Sequence, residues 1–237
     1  LKMIRNIPII FRRNLIKNPN AKVLGVKKNN SWEWTNRNKL NNMISYSIDV
    51  LKYRNVNKGD RVVYKGKNSV EWLAWNLATH SLGGVWVPLY SNQNEEYCKY
   101  IVDDCNPKVL ISDDKVKYKN IDFIDNKIEN VTYQNEIDII HNDLSTLIYT
   151  SGTTGNPKGV MLSHENILSN IYSLKTRFKE FETQKLTSLN ILPWAHIYGM
   201  TTELYYNILN ENKVAISSGV DNFVKECSEI KIGRAHV

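Results

Sequence analysis

The feature that most constrains the fold is a regular alternation of apolar, strand-like runs with helix-like segments in the first half of the chain. Between residues 60 and 113 five segments follow in the order strand, helix, strand, helix, strand: "DRVVYKG", Val70–Leu82, "GVWVPLY", Asn94–Asp104 and "KVLISD". Strands that alternate with helices of this length form crossover units, in which consecutive strands run parallel. The alternation therefore predicts an α/β fold with βαβ units and a mostly parallel sheet.

Further helices and strands are predicted on both sides of this block. Before it, apolar spacing indicates a helix over Pro8–Lys17, two strands around a turn at Lys28–Asn30, and a helix from Asn36. A loose region, Lys115–Asn142, is followed by seven elements: strand "LSTLIYT", strand "GVMLS", helix "HENILSNIYSLKTRF" capped by Ser163, strand "LTSLNILPW" ending at Pro193, helix Gly199–Asn210, strand "KVAIS" and helix Val220–Lys231. No repeat or linker requires a second domain.

The composition is typical of a soluble globular protein and limits the choice of partners. Hydrophobic residues make up 42% of the chain and charged residues 23%. Lysine and arginine exceed aspartate and glutamate by 31 − 24 = 7, but the charges are scattered. We therefore expect a solvated surface and no nucleic-acid partner. Since no stretch of sequence is long enough to span a bilayer, we expect a cytoplasmic protein, or one attached peripherally to a membrane.

The cysteines, the tryptophans and two of the histidines are interpreted as packing residues. The three cysteines form no C-x-x-C pair, which argues for a reducing compartment, and Cys98 and Cys105 are expected to face the core. His80 and His141 are expected to be packed or surface residues without a catalytic role. The same core position is expected of five tryptophans: Trp32, Trp34, Trp72, Trp75 and Trp86.

A glycine-rich stretch, "YTSGTTGNPKGV" at Tyr149–Val160, separates one predicted strand from the next. Glycines let backbone N–H groups approach an anion closely, and serine and threonine hydroxyls add donors. Lys158 adds a mobile positive charge. The combination is typical of a phosphate-binding loop, but it is not a Walker A loop, because Gly159 follows the lysine where serine or threonine is required.

The same string closely resembles the signature of the AMP-forming adenylate ligases, which include acyl-CoA synthetases, luciferases and nonribosomal adenylation domains. Two further stretches are similar to that family: "KGDRVVYKGKNSVEWLAWNLATHSLGGVWVPLY" and "LPWAHIYGM". The continuation "TTELYY" looks most like the long-chain fatty acyl-CoA synthetases. The resemblance implies that residues 1–231 are the N-terminal portion of the large AMP-binding domain, with the rest of that domain missing.

The resemblance also implies a reaction and a set of site residues. Enzymes of this family join a carboxylate to ATP and pass the acyl group to a thiol, so the implied partners are a fatty acid, ATP, Mg²⁺ and coenzyme A. His196, near Trp194 and Tyr198, would lie where the acyl tunnel meets the nucleotide and act in catalysis. Thr150 would also be a ligand of Mg²⁺. Seven residues would hold the β- and γ-phosphates: Thr150, Ser151, Gly152, Thr153, Thr154, Gly155 and Lys158.

The sequence departs from the family pattern toward its end. The family's magnesium-binding Glu, ribose-binding Asp, nucleotide-contacting Arg and adenylation Lys have no counterpart in the chain, and "YGMTTE" at Tyr198–Glu203 has one residue too many to supply the Glu. Glu203 is therefore not assigned to magnesium. The last six residues, "IGRAHV" at Ile232–Val237, match a translated sequencing adapter, so we expect a non-native tail. Expressed alone, the chain is expected to aggregate or fold partly and to form no acyl-adenylate.

Two alternatives remain open at this stage. The first keeps the chemistry but changes the acid or the acceptor: another acid–thiol ligase, or an adenylation domain that loads a carrier protein. The second is a non-catalytic nucleotide-binding or scaffold protein, which would keep the glycine-rich loop and lack the missing acidic and basic residues.

Overall fold

The computed structural model describes residues 6–114, 121–128, 143–150, 156–178 and 185–230. Within these ranges seven α-helices are present: α1 (Ile7–Lys17), α2 (Arg37–Tyr53), α3 (Val70–Ser81), α4 (Glu95–Cys105), α5 (His164–Arg177), α6 (Tyr206–Leu209) and α7 (Phe223–Glu229). A π-helical segment, Gly199–Tyr205, runs directly into α6, and a 3₁₀ turn, Val220–Asn222, precedes α7. No helix among the described residues is long and apolar enough to cross a membrane.

The strands of the described residues form two sheets. Their bounds are β1 (Lys22–Lys28), β2 (Ser31–Asn36), β3 (Arg61–Lys65), β4 (Val85–Leu89), β5 (Val109–Ser112), β6 (Asp122–Asp125), β7 (Leu144–Thr150), β8 (Lys158–Ser163), β9 (Thr187–Asn190) and β10 (Lys213–Ile216). The larger sheet has the order β6-β5-β3-β4-β7-β8, and the smaller has the order β2-β1-β10-β9. The prediction of an α/β fold rich in parallel strands is confirmed.

The larger sheet is parallel from β6 through β7 and ends in an antiparallel edge strand, β8. Alternate residues of β3 face opposite sides of this sheet. Val62 and Tyr64 pack in the core that includes α3, whereas Val63 packs in a second core with Cys98 and Cys105 of α4. Helices therefore cover both faces, as expected for parallel strands, and both cysteines face a core as predicted.

The smaller sheet joins the two ends of the described chain. β1 and β2 form the predicted hairpin, and Asn29 and Asn30 at its turn have φ values of 47° and 61°, the conformation that matches the twist of a two-residue hairpin. β1 also pairs in parallel with β10, which pairs in parallel with β9. The sequence predicted each of these strands but not their separation into a second sheet.

Several predicted elements differ from the structure. The helix predicted over Gly199–Asn210 is π-helical through Tyr205, and the strand predicted to end at Pro193 ends at Asn190. The helix predicted over Val220–Lys231 begins as a 3₁₀ turn, and α7 ends at Glu229. The loose region contains β6, which pairs with β5. No local sequence pattern predicts this pairing. Much of that region, including His141, lies outside the described residues.

The core assignment was correct for three of the five tryptophans. Trp72, Trp75 and Trp86 are almost completely buried. Trp32 and Trp34 are only half-buried, so their assignment to the core was wrong. Both lie on β2, the edge strand of the smaller sheet, where no further strand among the described residues covers them.

Candidate active site

An open cavity of about 360 Å³ lies at the carboxyl ends of β4 and β7. Three chain segments line it: residues 88–90 after β4, residues 148–150 at the end of β7, and residues 195–197 after β9. Gln93, just before α4, and Tyr97 and Ile101 of α4 complete the lining. Ligands of parallel α/β sheets bind at this edge, because the loops that follow neighbouring strands meet there. The topology therefore brings together segments that are far apart in the sequence.

The glycine-rich stretch begins at this cavity. Thr150 lines it, and its Cα pairs with that of Lys158 across the antiparallel β7–β8 hairpin. Both side chains are exposed, so their hydroxyl and ammonium groups are available to a ligand. The other predicted phosphate ligands, Ser151, Gly152, Thr153, Thr154 and Gly155, lie outside the described residues.

Tyr149 fixes the start of this stretch. A Cβ atom at Gly159 would lie 3.0 Å from the Tyr149 ring, so glycine at that position allows the ring to pack across the hairpin. The Tyr149 hydroxyl donates a hydrogen bond of 2.5 Å to Oδ2 of Asp104 at the end of α4. Burial is the main cause that raises the pKa of Tyr149 above its ordinary value, and the hydrogen bond to the Asp104 carboxylate is the second. The phenol therefore remains a donor. The sequence analysis did not single out this contact.

His196 reaches the same cavity from the loop between β9 and the π-helical segment. Its ring is exposed, and its Nδ1 accepts the backbone N–H of Tyr198 at 3.2 Å. In the neutral imidazole the proton therefore resides on Nε2, which remains available as a donor. The structure brings Thr150 and His196 to one cavity, and their roles as a phosphate ligand and a catalytic residue stay predictions.

Trp194 anchors this loop from within. It lies near His196 as expected, but its side chain is fully buried, and its ring centroid lies 5.4 Å from that of Trp72, edge to face. Trp194 is therefore a packing residue and does not line the cavity. Tyr198, on the other side of His196, is 59% exposed.

Glu203 also stabilises the loop that carries His196. Its Oε2 accepts hydrogen bonds from the backbone N–H groups of Ile191 and Leu192, both at 3.1 Å, and from the side-chain amide of Asn190. One oxygen of this carboxylate is thus occupied by contacts within the chain. Sequence reasoning missed this role, because the residues that Glu203 contacts are 11 to 13 positions away.

Two buried histidines lie near β7 but outside the cavity. His80 Nε2 is 3.1 Å from both the backbone carbonyl and the hydroxyl of Ser145, and its ring is 4.9 Å from that of His164. Burial, with a smaller contribution from His164, lowers the pKa of His80 well below its ordinary value. His80 is therefore a packed histidine, as predicted. Ser163 caps α5 with a reciprocal pair of hydrogen bonds to Asn166, also as predicted.

Comparison with known proteins decides the family. The sequence profile described as AMP-binding enzyme matches residues 11–232. The chain belongs to this family. The chain is 29% identical over 244 residues to the long-chain-fatty-acid–CoA ligase ACSBG1 of Rattus norvegicus, and the match covers 84% of this chain and 33% of that protein. Long chain acyl-CoA synthetase 3 of Arabidopsis thaliana is 26% identical, with 82% of this chain and 36% of that protein covered. The chain thus spans about a third of the length of these curated relatives.

Solved structures share the fold of this AMP-binding enzyme. A fatty acyl-adenylate ligase from L. pneumophila, in complex with acyl adenylate and pyrophosphate, matches with a TM-score of 0.83 at 21% identity, covering 97% of this chain and 44% of that one. ATP-bound MatB from Rhodopseudomonas palustris matches with a TM-score of 0.76, also at 21% identity, covering 95% and 48%. The described residues therefore have the fold of the N-terminal part of AMP-forming ligases.

Proposed function

We propose that this chain is the ATP- and acid-binding part of a fatty acid–CoA ligase, which activates a fatty acid as its adenylate and transfers it to coenzyme A. The observation that carries the proposal is the single cavity shared by Thr150, which opens the glycine-rich stretch, and His196. Family membership and the names of the relatives support the same chemistry. We propose the cytoplasm, or the surface of a membrane, as its place of action.

The phosphates of ATP are proposed to bind along the glycine-rich stretch. Thr150 and Lys158 are opposite each other where the β7–β8 hairpin opens, and both are exposed. Ser151, Gly152, Thr153, Thr154 and Gly155 lie between them in the sequence and are proposed to add hydroxyl and backbone N–H donors. This arrangement would place one mobile ammonium group against several phosphate oxygens.

We propose that a magnesium ion binds at this end of the cavity. In the described part of the chain no group of three or more histidine, cysteine, aspartate or glutamate side chains could hold a metal ion. Mg²⁺ is often held by only one or two protein groups together with substrate phosphates, and the exposed Thr150 hydroxyl is a hard oxygen ligand of the required type. Bound there, the ion would neutralise charge on the phosphates.

The proposed reaction has two steps. In the first, a carboxylate oxygen of the fatty acid bonds to the α-phosphorus of ATP, the bond from that phosphorus to the bridging oxygen breaks, and pyrophosphate leaves with the electron pair. In the second, the thiolate sulfur of coenzyme A bonds to the acyl carbon, the bond from that carbon to the phosphate oxygen breaks, and AMP leaves with the electron pair. His196 would donate its Nε2–H to an oxygen on which negative charge develops, while the Tyr198 N–H keeps the ring in that tautomer.

Acid-dependent exchange of label between pyrophosphate and ATP tests the first step directly. We expect the whole ligase of which this chain is the proposed part to catalyse exchange with long-chain fatty acids and to be slower with an aryl acid, and we expect residues 1–237 alone to catalyse none. His196→Ala should lower kcat roughly 100-fold, since loss of one donor aimed at developing charge costs about 10²–10³ in rate. Lys158→Ala should raise the KM for ATP about 10-fold, since a charged hydrogen bond is worth ~1.5–3 kcal/mol.

A lysine on another face provides the control for charge alone. Lys52 is exposed on α2, away from the cavity, so Lys52→Ala should leave both kcat and KM within about 2-fold. Absence of acid-dependent exchange from the whole wild-type protein, with ATP binding retained, would favour the non-catalytic nucleotide-binding alternative. Equal effects of the two lysine substitutions would contradict the proposed role of Lys158.

A second candidate, loading of a carrier protein, is favoured by one further similarity. Tyrocidine synthase 3 of Brevibacillus parabrevis is 26% identical over 184 residues, which cover 74% of this chain and 3% of that protein. The two candidates share the first step and differ in the thiol. Release of AMP measured with coenzyme A and with a phosphopantetheine-bearing carrier protein separates them, and we expect the faster release with coenzyme A.

A further inference from the structure

One asparagine far from His196 in the sequence ties the His196 loop to the larger sheet. Asn68 lies between β3 and α3, and its side-chain amide donates to Oδ1 of Asn190 at 2.7 Å and to the carbonyl of Leu192 at 2.8 Å. Its Oδ1 accepts the backbone N–H of Trp194 at 2.8 Å. Both donor hydrogens and the acceptor are therefore used, and each partner lies 122 to 126 positions further along the chain.

The loop is held from its other side by Glu203. The carboxylate of this residue binds the backbone N–H groups of Ile191 and Leu192, and it also accepts from the amide of Asn190. Asn190 is almost fully buried and contacts both Asn68 and Glu203, so it joins the two sides of the support. Together these three side chains fix the backbone from residue 191 to residue 194, directly before His196.

We propose that Asn68, Asn190 and Glu203 are positioning residues that set the place of His196 in the cavity. This inference rests on the proposed function, in which His196 donates to a developing charge. A hydrogen bond to a carboxylate is stronger than one between neutral groups, so Glu203 stabilises the turn at Ile191 and Leu192 more than an amide would. Displacement of a reacting group by about 1 Å can cost roughly 10²-fold in rate.

Substitution of Glu203 in the whole ligase of which this chain is the proposed part tests the inference. In the exchange assay, Glu203→Ala should lower kcat roughly 100-fold and leave the KM for ATP within about 3-fold, because the phosphate-binding stretch is not altered. Glu203→Gln retains one carbonyl oxygen that can accept from the backbone, so it should recover activity to within about 10-fold of wild type. Asn68→Ala should resemble Glu203→Ala, and the double variant should lose little more, because the residues act as a unit.

Asn210→Ala is the matched control. The Asn210 side chain donates to the carbonyl of Tyr206 within its own helical turn at 2.7 Å and does not contact the His196 loop in the described structure. Its loss should leave kcat within about 2-fold. An effect of Asn210→Ala equal to that of Asn68→Ala would overturn the inference, because it would show general sensitivity to asparagine loss.

Hydrogen exchange provides a readout that does not depend on activity. In Glu203→Ala and Asn68→Ala the amides of Ile191, Leu192 and Trp194 should exchange at least about 10-fold faster, while the amides of β3 and β4 remain protected. Unchanged exchange at these amides would overturn the inference even if the wild-type protein had no ligase activity. Faster exchange with kcat within about 3-fold of wild type would also overturn it, since the loop would be loosened without consequence for His196.

Discussion

The core around β3 and β4 and the loop over residues 190–198 lie against each other but are stabilised by different contacts. In the core, Tyr64, Trp72 and Trp86 are fully buried and pack with ring centroids 5.1–6.1 Å apart. Burial raises the pKa of Tyr64 to about 12, which shows how strongly this region excludes charge. In the loop, a few polar side chains bind backbone groups, and His196 is exposed.

The difference shows that two kinds of contact stabilise two regions that touch each other. Apolar packing is additive over many contacts and has little direction, whereas the support of the loop depends on three directed side chains. The two regions meet where Trp194 packs on Trp72. A change in the core should therefore affect both stability and the site, whereas a change in the loop should affect mainly the site.

The largest expected effect comes from removing a buried aromatic side chain from the core around β3 and β4. Trp72→Ala should lower the free energy of unfolding by about 3–5 kcal/mol, because it leaves a cavity between β3, β4 and the His196 loop. Nε1 of Trp72 has no hydrogen-bond partner among the described residues, so the cost comes from packing. Urea unfolding followed by far-ultraviolet circular dichroism measures it.

Tyr53→Ala controls for loss of an aromatic ring as such. Tyr53 is 82% exposed at the end of α2, so its removal should change the free energy of unfolding by less than about 0.5 kcal/mol. If Trp72→Ala cost no more than this control, the described packing of α3 on the sheet would be contradicted.

The sequence predicted the scaffold much better than the support of the site. Val70–Ser81 of α3 and Val85–Leu89 of β4 follow from local apolar patterns, because each element buries its own side chains wherever it lies. Thr150 and His196 were found through short motifs, each contained in a few consecutive residues. Both kinds of signal are local.

The remaining features depend on contacts that no local pattern contains. The hydrogen bond between Asn68 and Trp194 joins residues 126 positions apart. In the sequence alone Asn68 cannot be told from an ordinary loop asparagine, because its partners lie in a distant segment. The π-helical segment, likewise, leaves the carbonyl of Glu203 to accept from the amide of Asn207 at 2.9 Å, an arrangement that apolar spacing does not predict. The half-buried positions of Trp32 and Trp34 depend on which strand forms the edge of the sheet.

The second prediction concerns the loop, which a single substitution should displace without changing any charge. A Cβ atom at Gly199 would lie 2.6 Å from the carbonyl oxygen of Pro193 and 3.1 Å from Cβ of Leu192, so Gly199→Ala must displace the loop. Overpacking of this kind costs about 1–3 kcal/mol in stability. We expect a larger relative loss of kcat, roughly 10- to 100-fold in the exchange assay, because His196 moves with the loop.

Thr202→Ala is the comparison for Gly199→Ala. It removes one hydrogen bond, from the Thr202 hydroxyl to the carbonyl of Tyr198 at 2.7 Å, and adds no atom. Its kcat should stay within about 3-fold of wild type. A Gly199→Ala protein with normal kcat would show that the loop tolerates displacement and that the support of His196 is not directional.

The smallest expected effect concerns a third kind of contact, a cluster of ion pairs around Glu211 near the surface, here called the ionic tie. The Glu211 carboxylate contacts Lys185 at 2.8 Å, Lys17 at 3.0 Å and Arg37 at 3.6 Å. The hydrogen bond from Lys185 is the main cause that lowers the pKa of Glu211 from 4.5 to about 2; burial opposes it, and Lys17 adds to it. The tie therefore links α1 and the start of α2 to the segment that precedes β9.

A lowered pKa gives this tie a defined pH dependence. Because the folded state holds the Glu211 proton less tightly than the unfolded chain does, the stabilisation is complete above about pH 4.5 and is lost as the pH falls toward about 2. Lys17 and Lys185 are 69% and 61% exposed, so solvent screening limits the gain to about 1 kcal/mol at neutral pH. Glu211→Gln should remove it and flatten the acid limb of stability against pH, measured by urea unfolding between pH 3 and 7. Glu33→Gln is the control, because it removes the exposed ion pair with Lys28 and should not change the free energy of unfolding measurably. If the two substitutions had equal effects on the free energy of unfolding, the ion pairs of Glu211 with Lys17 and Lys185 would add no stability.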